Sequence, residues 1–183
     1  MSNPTATSYE AASRPLSAVL DAVPADAWSR PSPCEGWTAR DVVRHLVDSQ
    51  RDLLTGHGLD LGPAPDLDAD PAGAWRQHAQ RVAAVIADDE VAGRGYEGFF
   101  GPTTIGATLE QFYVWDMVVH RWDVARATGQ DAVLTDAELD RVAAGADSFG
   151  EGLYMDGICR PGATPPPGAD RATQVLARLG RAA

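Results

Sequence analysis

The chain has 183 residues, long enough to bury a core without staples and short enough for one domain, taken here as residues 1–183. Hydrophobic residues at 44% and charged residues at 22% exclude a disordered chain, and no apolar run is long enough to span a membrane. The formal net charge of -11, without any basic block, excludes the clustered cations that grip nucleic acid, and the 15 basic residues are all arginine, which excludes lysine chemistry.

Tyr9, Ala12, Leu16, Val19, Leu20 and Val23 recur at helical spacing and predict a first helix over about 8–23, ending before Pro24. A Pro-, Ser- and Gly-rich stretch follows, carrying Trp28 and Trp37 as apolar anchors. Thr38 with Asp41 reads as a capping box that opens a second helix, whose broad arc holds Val42, Val43, Leu46, Val47, Leu53 and Leu54. His45 falls at the edge of that arc, and the helix fades at Gly56-His57-Gly58.

Asp70-Pro71 supplies a cap and a first-turn proline for a third helix bearing Trp75, His78, Ala79, Val82 and Ile86. The glycine-rich stretch 88–106, with Tyr96, Phe99 and Phe100, fits an irregular loop or a short strand. A fourth helix over about 105–128 closes at Gly129, a left-handed cap position. Thr135 with Glu138 opens a shorter helix, and Val175, Leu176 and Leu179 mark a small one after Pro165-Pro166-Pro167. The sum is an all-α protein, a bundle of four main helices with short C-terminal additions.

Within the fourth helix, Asp116 and His120 stand one turn apart, with Cβ atoms ~5 to 6 Å apart. At about 100° per residue the same face receives Leu109, Tyr113, Val124 and Ala127. A carboxylate and an imidazole in an apolar stripe need partners, and one small ion could touch both. A third donor must come from elsewhere. His57 lies between glycines, His78 fits a hydrogen-bonded core histidine, and spacing alone leaves His45 balanced between ligand and core-edge residue. Asp123 could orient an imidazole, ligate, or pair with an arginine. Arg121 and Arg126 read as solvated-face arginines rather than partners of a substrate carboxylate, Trp115 and Trp122 as core rather than substrate platforms, and Tyr113 as packing or a ligand contact. Cys34 reads as a buried inert thiol or, less commonly, a reactive one.

Pro33-Cys34-Glu35-Gly36-Trp37-Thr38, the following Asp41-Val42-Val43-Arg44-His45-Leu46, and the run from Asp116 to Gly129 together resemble the DinB-like superfamily. The closer resemblance is to its metal-binding branch related to the mycothiol-dependent maleylpyruvate isomerase N-terminal domain. That resemblance implies a four-helix bundle holding a divalent metal, zinc or nickel, through His45, Asp116 and His120, with mycothiol as a candidate cosubstrate. The isomerases have Glu where this chain has Asp116, so a shorter arm and a different metal affinity are expected. Only 54 residues follow Gly129, too few for the isomerase's separate C-terminal domain, so a substrate other than maleylpyruvate is expected.

The functional expectation is a metal-dependent enzyme acting with a small-molecule thiol, as an isomerase or transferase, or with metal-activated water. The alternative is a bundle without turnover in which the ion only ties two helices together. Residues 1–10 lack the basic and apolar regions of a secretory signal, so a cytoplasmic setting with reduced Cys34 and Cys159 is expected. Neither nucleic acid nor membrane is expected as a partner, and a homodimer is compatible with the group.

Overall fold

The structure, a computed structural model, describes residues 3–155, 159, 160 and 162–181, so the expected loop at 150–168 lies partly outside the described residues. Helix α1 (Pro4–Asp21) begins earlier than its apolar periodicity indicates, because Asn3 accepts from Ala6 N and Pro4 occupies the first turn. Helix α2 (Ala39–Gly56) opens on the expected capping box, in which Thr38 and Asp41 satisfy each other's backbone donors. Helix α3 (Pro71–Ile86) starts at Asp70 and the proline that follows it.

These helices and α6 (Trp115–Thr128) form the four-membered bundle, with α1 seated between α3 and α6 and α2 closing the ring on the other side. Tyr9, Leu16, Leu46, Trp75 and Met117 are sealed in its core. One polar tie crosses that core: the Tyr9 hydroxyl and His78 Nε2 both donate to Gln50 Oε1, at 2.8 and 3.0 Å, joining α1, α2 and α3. His78 is thus the core histidine its position indicates. Burial, with Arg51 and Arg81 nearby, lowers its pKa to about 4.

The stretch 88–106 is more ordered than its glycine content suggests. A short helix α4 (Asp89–Ala92) leads into strands β1 (Gly95–Gly98) and β2 (Gly101–Thr104), which pair antiparallel with Phe99 and Phe100 at the turn. Helix α5 (Ile105–Thr108), a π-helical segment Leu109–Val114 and α6 then run on as one helical rod, which Gly129 ends in the left-handed conformation. The π segment is a departure from the single-period helix expected over 105–128. Its wider turn rotates what precedes Asp116, so Leu109 is sealed in the core while Tyr113 is half-buried on a cavity wall.

Helix α7 (Asp136–Phe149) packs on α6, and α8 (Arg171–Arg178) packs on α7. Arg121 departs from the solvated-face reading. It is 9% exposed and forms a two-pronged bond with Glu138, at 2.7 and 2.8 Å, which ties α6 to the capping box of α7. Arg126 lies over the Trp122 ring. Among the described residues no helix is long and apolar enough to cross a membrane.

Candidate metal centre

Three elements converge on the first turns of α6. The loop before α2 turns at Gly36, whose positive φ lets Trp37 N donate back to Cys34 O at 3.0 Å. This turn sets Cys34 facing α6 and lays Trp37 against the imidazoles of His45 and His120, at centroid distances of 5.0 and 6.1 Å. Helix α2 supplies His45, and α6 supplies Asp116 and His120. The structure brings together all three residues singled out from the sequence: donor atoms of His45, Asp116 and His120 lie within 4.8 Å of one another.

The carboxylate of Asp116 sits between the two rings, with His45 Nε2 3.0 Å from Oδ2 and His120 Nε2 3.2 Å from Oδ1. On the far side of its ring, His120 Nδ1 donates to Asp123 Oδ2 at 2.8 Å. A carboxylate only accepts, so Asp123 fixes the proton on Nδ1. With the Nδ1 proton held by Asp123, His120 Nε2 faces Asp116 Oδ1 and carries there either a second proton, donated to the carboxylate, or a metal ion. Burial alone would push Asp116 up, but the charge and hydrogen bond of His120 and the hydrogen bond from His45 outweigh it and hold the carboxyl below the ordinary range. Burial would likewise push His120 down, and Asp116 overcomes it and holds the ring well above its usual value. The field that favours a proton there also favours a metal cation. The donor set therefore fits a divalent ion: two imidazoles and one carboxylate suit zinc or nickel and leave a coordination position open.

Behind His120 lies a second polar cluster whose main member gave no sequence signal. Arg181, beyond α8, is only 7% exposed and clamps Asp123, which is fully buried, with Nε to Oδ1 at 3.0 Å and Nη2 to Oδ2 at 2.7 Å. Burial pushes the Asp123 carboxyl up, and the bonds from His120 and Arg181 reverse this, taking it down to about 2. Cys34 Sγ donates to the same Oδ2 at 3.3 Å and receives Arg181 Nη2 at 3.4 Å. Cys34, His120 and Asp123 also have donor atoms within 4.8 Å of one another. The guanidinium already fills that space with positive charge, and Asp123 has both oxygens engaged. Asp123 is therefore placed to orient His120 and to pair with an arginine, two of the roles open to it from sequence. Cys34 is half-buried rather than sealed, with its thiol engaged by Asp123 and Arg181. Burial raises the thiol of Cys159, which receives Arg181 Nη1 at 3.9 Å.

The triad opens onto a cavity of about 1030 Å³, whose wall also includes Trp37, Tyr96, Phe112, Tyr113 and Trp115. His57 caps α2 and packs on Tyr96 at 4.2 Å, outside the triad.

The sequence profile of the family described as the mycothiol maleylpyruvate isomerase N-terminal domain matches residues 9–56, a stretch that holds most of α1, all of α2 and His45. The uncharacterized protein Rv0738 of Mycobacterium tuberculosis is 30% identical over 142 residues, which cover 74% of this chain and 74% of that protein. The chain belongs to this DinB-like family. A second relative of this mycothiol maleylpyruvate isomerase N-terminal-domain chain is the uncharacterized protein Rv0036c of the same organism. It is 30% identical over 146 residues, or 69% of this chain and 57% of its own length. No solved structure matches the chain. Within the family match, His45 is the only member of the triad, since residues 9–56 end before Asp116 and His120.

Proposed function

We propose that the protein is a metal-dependent enzyme that holds one divalent ion, zinc or nickel, on His45, Asp116 and His120 and acts with a small-molecule thiol, mycothiol in the first instance, or with water. The observation that carries this reading is the pair of imidazole Nε2 atoms facing one carboxylate, with the proton of His120 held on its other nitrogen by Asp123. A divalent ion bound there supplies Lewis acidity, which lowers the pKa of water to near ~7 and ionises a coordinating thiol. The remaining work belongs to the chain's own residues. Asp123, held by Arg181, keeps His120 in one tautomer and orientation. Trp37 packs tilted against both imidazoles, at centroid distances of 5.0 and 6.1 Å, and supports their orientation. The large cavity supplies room for a thiol and a second reactant above the triad.

The competing reading, an ion that only ties α2 to α6, is disfavoured by that cavity, because structural sites are closed by a fourth protein ligand. The free thiols of Cys34 and Cys159 fit a cytoplasmic setting. Elemental analysis of the purified protein and of the variants His45→Ala and His120→Ala tests the metal, and calorimetric titration of the metal-loaded protein with mycothiol tests the thiol. Stoichiometric metal that both variants lose, with thiol binding that depends on it, is the expected result. Metal-free protein, or variants that keep their metal, would overturn the reading; bound metal without thiol binding would favour water chemistry or the structural ion.

A further inference from the structure

One wall of the cavity that holds the metal triad is an aromatic ladder. Phe100 stacks nearly parallel on Phe112, at 6.1 Å and 8°, and Phe112 on Phe149, at 5.3 Å and 19°. Trp115 meets Phe149 edge-on at 5.3 Å, one residue before Asp116 in the chain. The ladder thus descends from the hairpin tip to the turn of α6 that bears the triad, and all four rings face one cavity. Its outer end is exposed in a way folding does not demand: Phe100 is 66% and Phe99 82% open to solvent, and the two rings meet edge to face at 4.9 Å. Sites for drug-sized ligands occupy roughly 300 to 1,000 Å³, so the cavity has room for a fused ring system beside the triad.

Charge narrows the class of ligand. Among the described residues the cavity wall carries two arginines, Arg160 and Arg181. Arg160 is paired with Glu35, and Arg181 spends its donors on Asp123, Leu179 O and the two cysteines. Among the described residues no unpaired arginine lines this wall, so a ring substituent at the end away from the triad meets no cation there. We propose that this wall is the subsite for the second reactant, a ligand bearing a planar, uncharged aromatic group about the size of naphthalene, stacked on Phe100 and Phe112 with its reactive end toward Asp116. The proposal rests on the metal-enzyme reading for the role of the ligand, and on the aromatic wall alone for its class.

Isothermal titration of the protein as purified with three probes separates the possibilities. These are 2-naphthol, its saturated analogue decahydro-2-naphthol, and 6-hydroxynaphthalene-2-sulfonate, which places a charge at the far end of the ring. The saturated analogue has the same size without a π-face, and stacking beyond area burial is worth roughly tenfold in affinity. Naphthol is expected to bind, the saturated analogue and the sulfonate each about tenfold or more weakly. The exposed Phe100→Ala is expected to weaken naphthol about tenfold without altering metal content. Equal binding of naphthol and either other probe, no binding of naphthol, or a Phe100→Ala protein that binds naphthol as before would overturn the proposal. Elemental analysis of the same samples keeps the two claims apart. Missing metal sinks the enzyme reading while leaving the aromatic class to stand on the titrations, and bound metal without naphthol binding sinks the aromatic class alone.

Discussion

Replacing Arg181 by methionine removes the guanidinium and keeps much of the aliphatic bulk, leaving Asp123, which has no exposed surface, without its counter-charge. Unit charges about 4 Å apart attract by about 4 kcal/mol at an effective dielectric near 20, and stranding one partner of a buried pair costs roughly 3 to 5 kcal/mol. The two-pronged contacts of 2.7 and 3.0 Å place this pair in that range. Asp123→Asn strands Arg181 in the same way. The double variant strands neither charge and should lose at least about 2 kcal/mol less than the two singles added together. Urea unfolding followed by circular dichroism gives all four corners of the cycle. In Asp123→Asn and the double variant, loss of the carboxylate that orients His120 should weaken metal binding by roughly 10- to 100-fold. Additive losses in the cycle, or an Arg181→Met protein within about 0.5 kcal/mol of the parent, would refute the argument that this cluster holds the triad in place.

Two further perturbations read other parts of the fold. His78 has a folded pKa of about 4, below its unfolded value, so the unfolded chain binds more protons between about 4 and 6.5. Stability should therefore be complete above that window and fall by about 3 kcal/mol as pH drops through it, a loss that His78→Gln should remove; parallel pH profiles of unfolding free energy for the two proteins would contradict this. Gly145→Ala should raise helix propensity by about 1 kcal/mol yet destabilise, because its Cβ would run into Cδ1 and Nε1 of Trp115, whose indole nitrogen donates to Val142 O at 3.1 Å. Overpacking of that kind costs roughly 1 to 3 kcal/mol, so a rise in melting temperature would show that α7 and α6 are not in such close contact.

Much of the bundle was legible because its signals are local. Thr38 with Asp41, Asp70 with Pro71, Thr135 with Glu138, and Gly129 each mark a helix end by satisfying groups within a few residues. Asp116 and His120 were legible for the same reason, since one helical turn joins them. His45 was not settled by spacing, because its meeting with Asp116 depends on how α2 crosses α6, and resemblance supplied what periodicity could not. The π segment leaves no sequence signal, because residues 109–114 have no composition that distinguishes a wider turn from an ordinary one. Arg121 carries the pattern of a solvated-face arginine because its partner, Glu138, belongs to the next helix. Arg181 was invisible for a stronger version of that reason: 58 positions separate it from Asp123, and only the docking of α8 on α7 brings them together.

Among the described residues two donor sets of similar spacing could take an ion, His45 with Asp116 and His120, and Cys34 with His120 and Asp123. X-ray absorption at the edge of the metal carried by the purified protein, prepared without added thiol, separates them directly. An ion on His45, Asp116 and His120 should show two imidazoles with oxygen donors at ~2.0 to 2.2 Å and lose one imidazole in His45→Ala. A sulfur neighbour at ~2.3 Å, unchanged by His45→Ala, would place the ion on Cys34 and contradict the assignment.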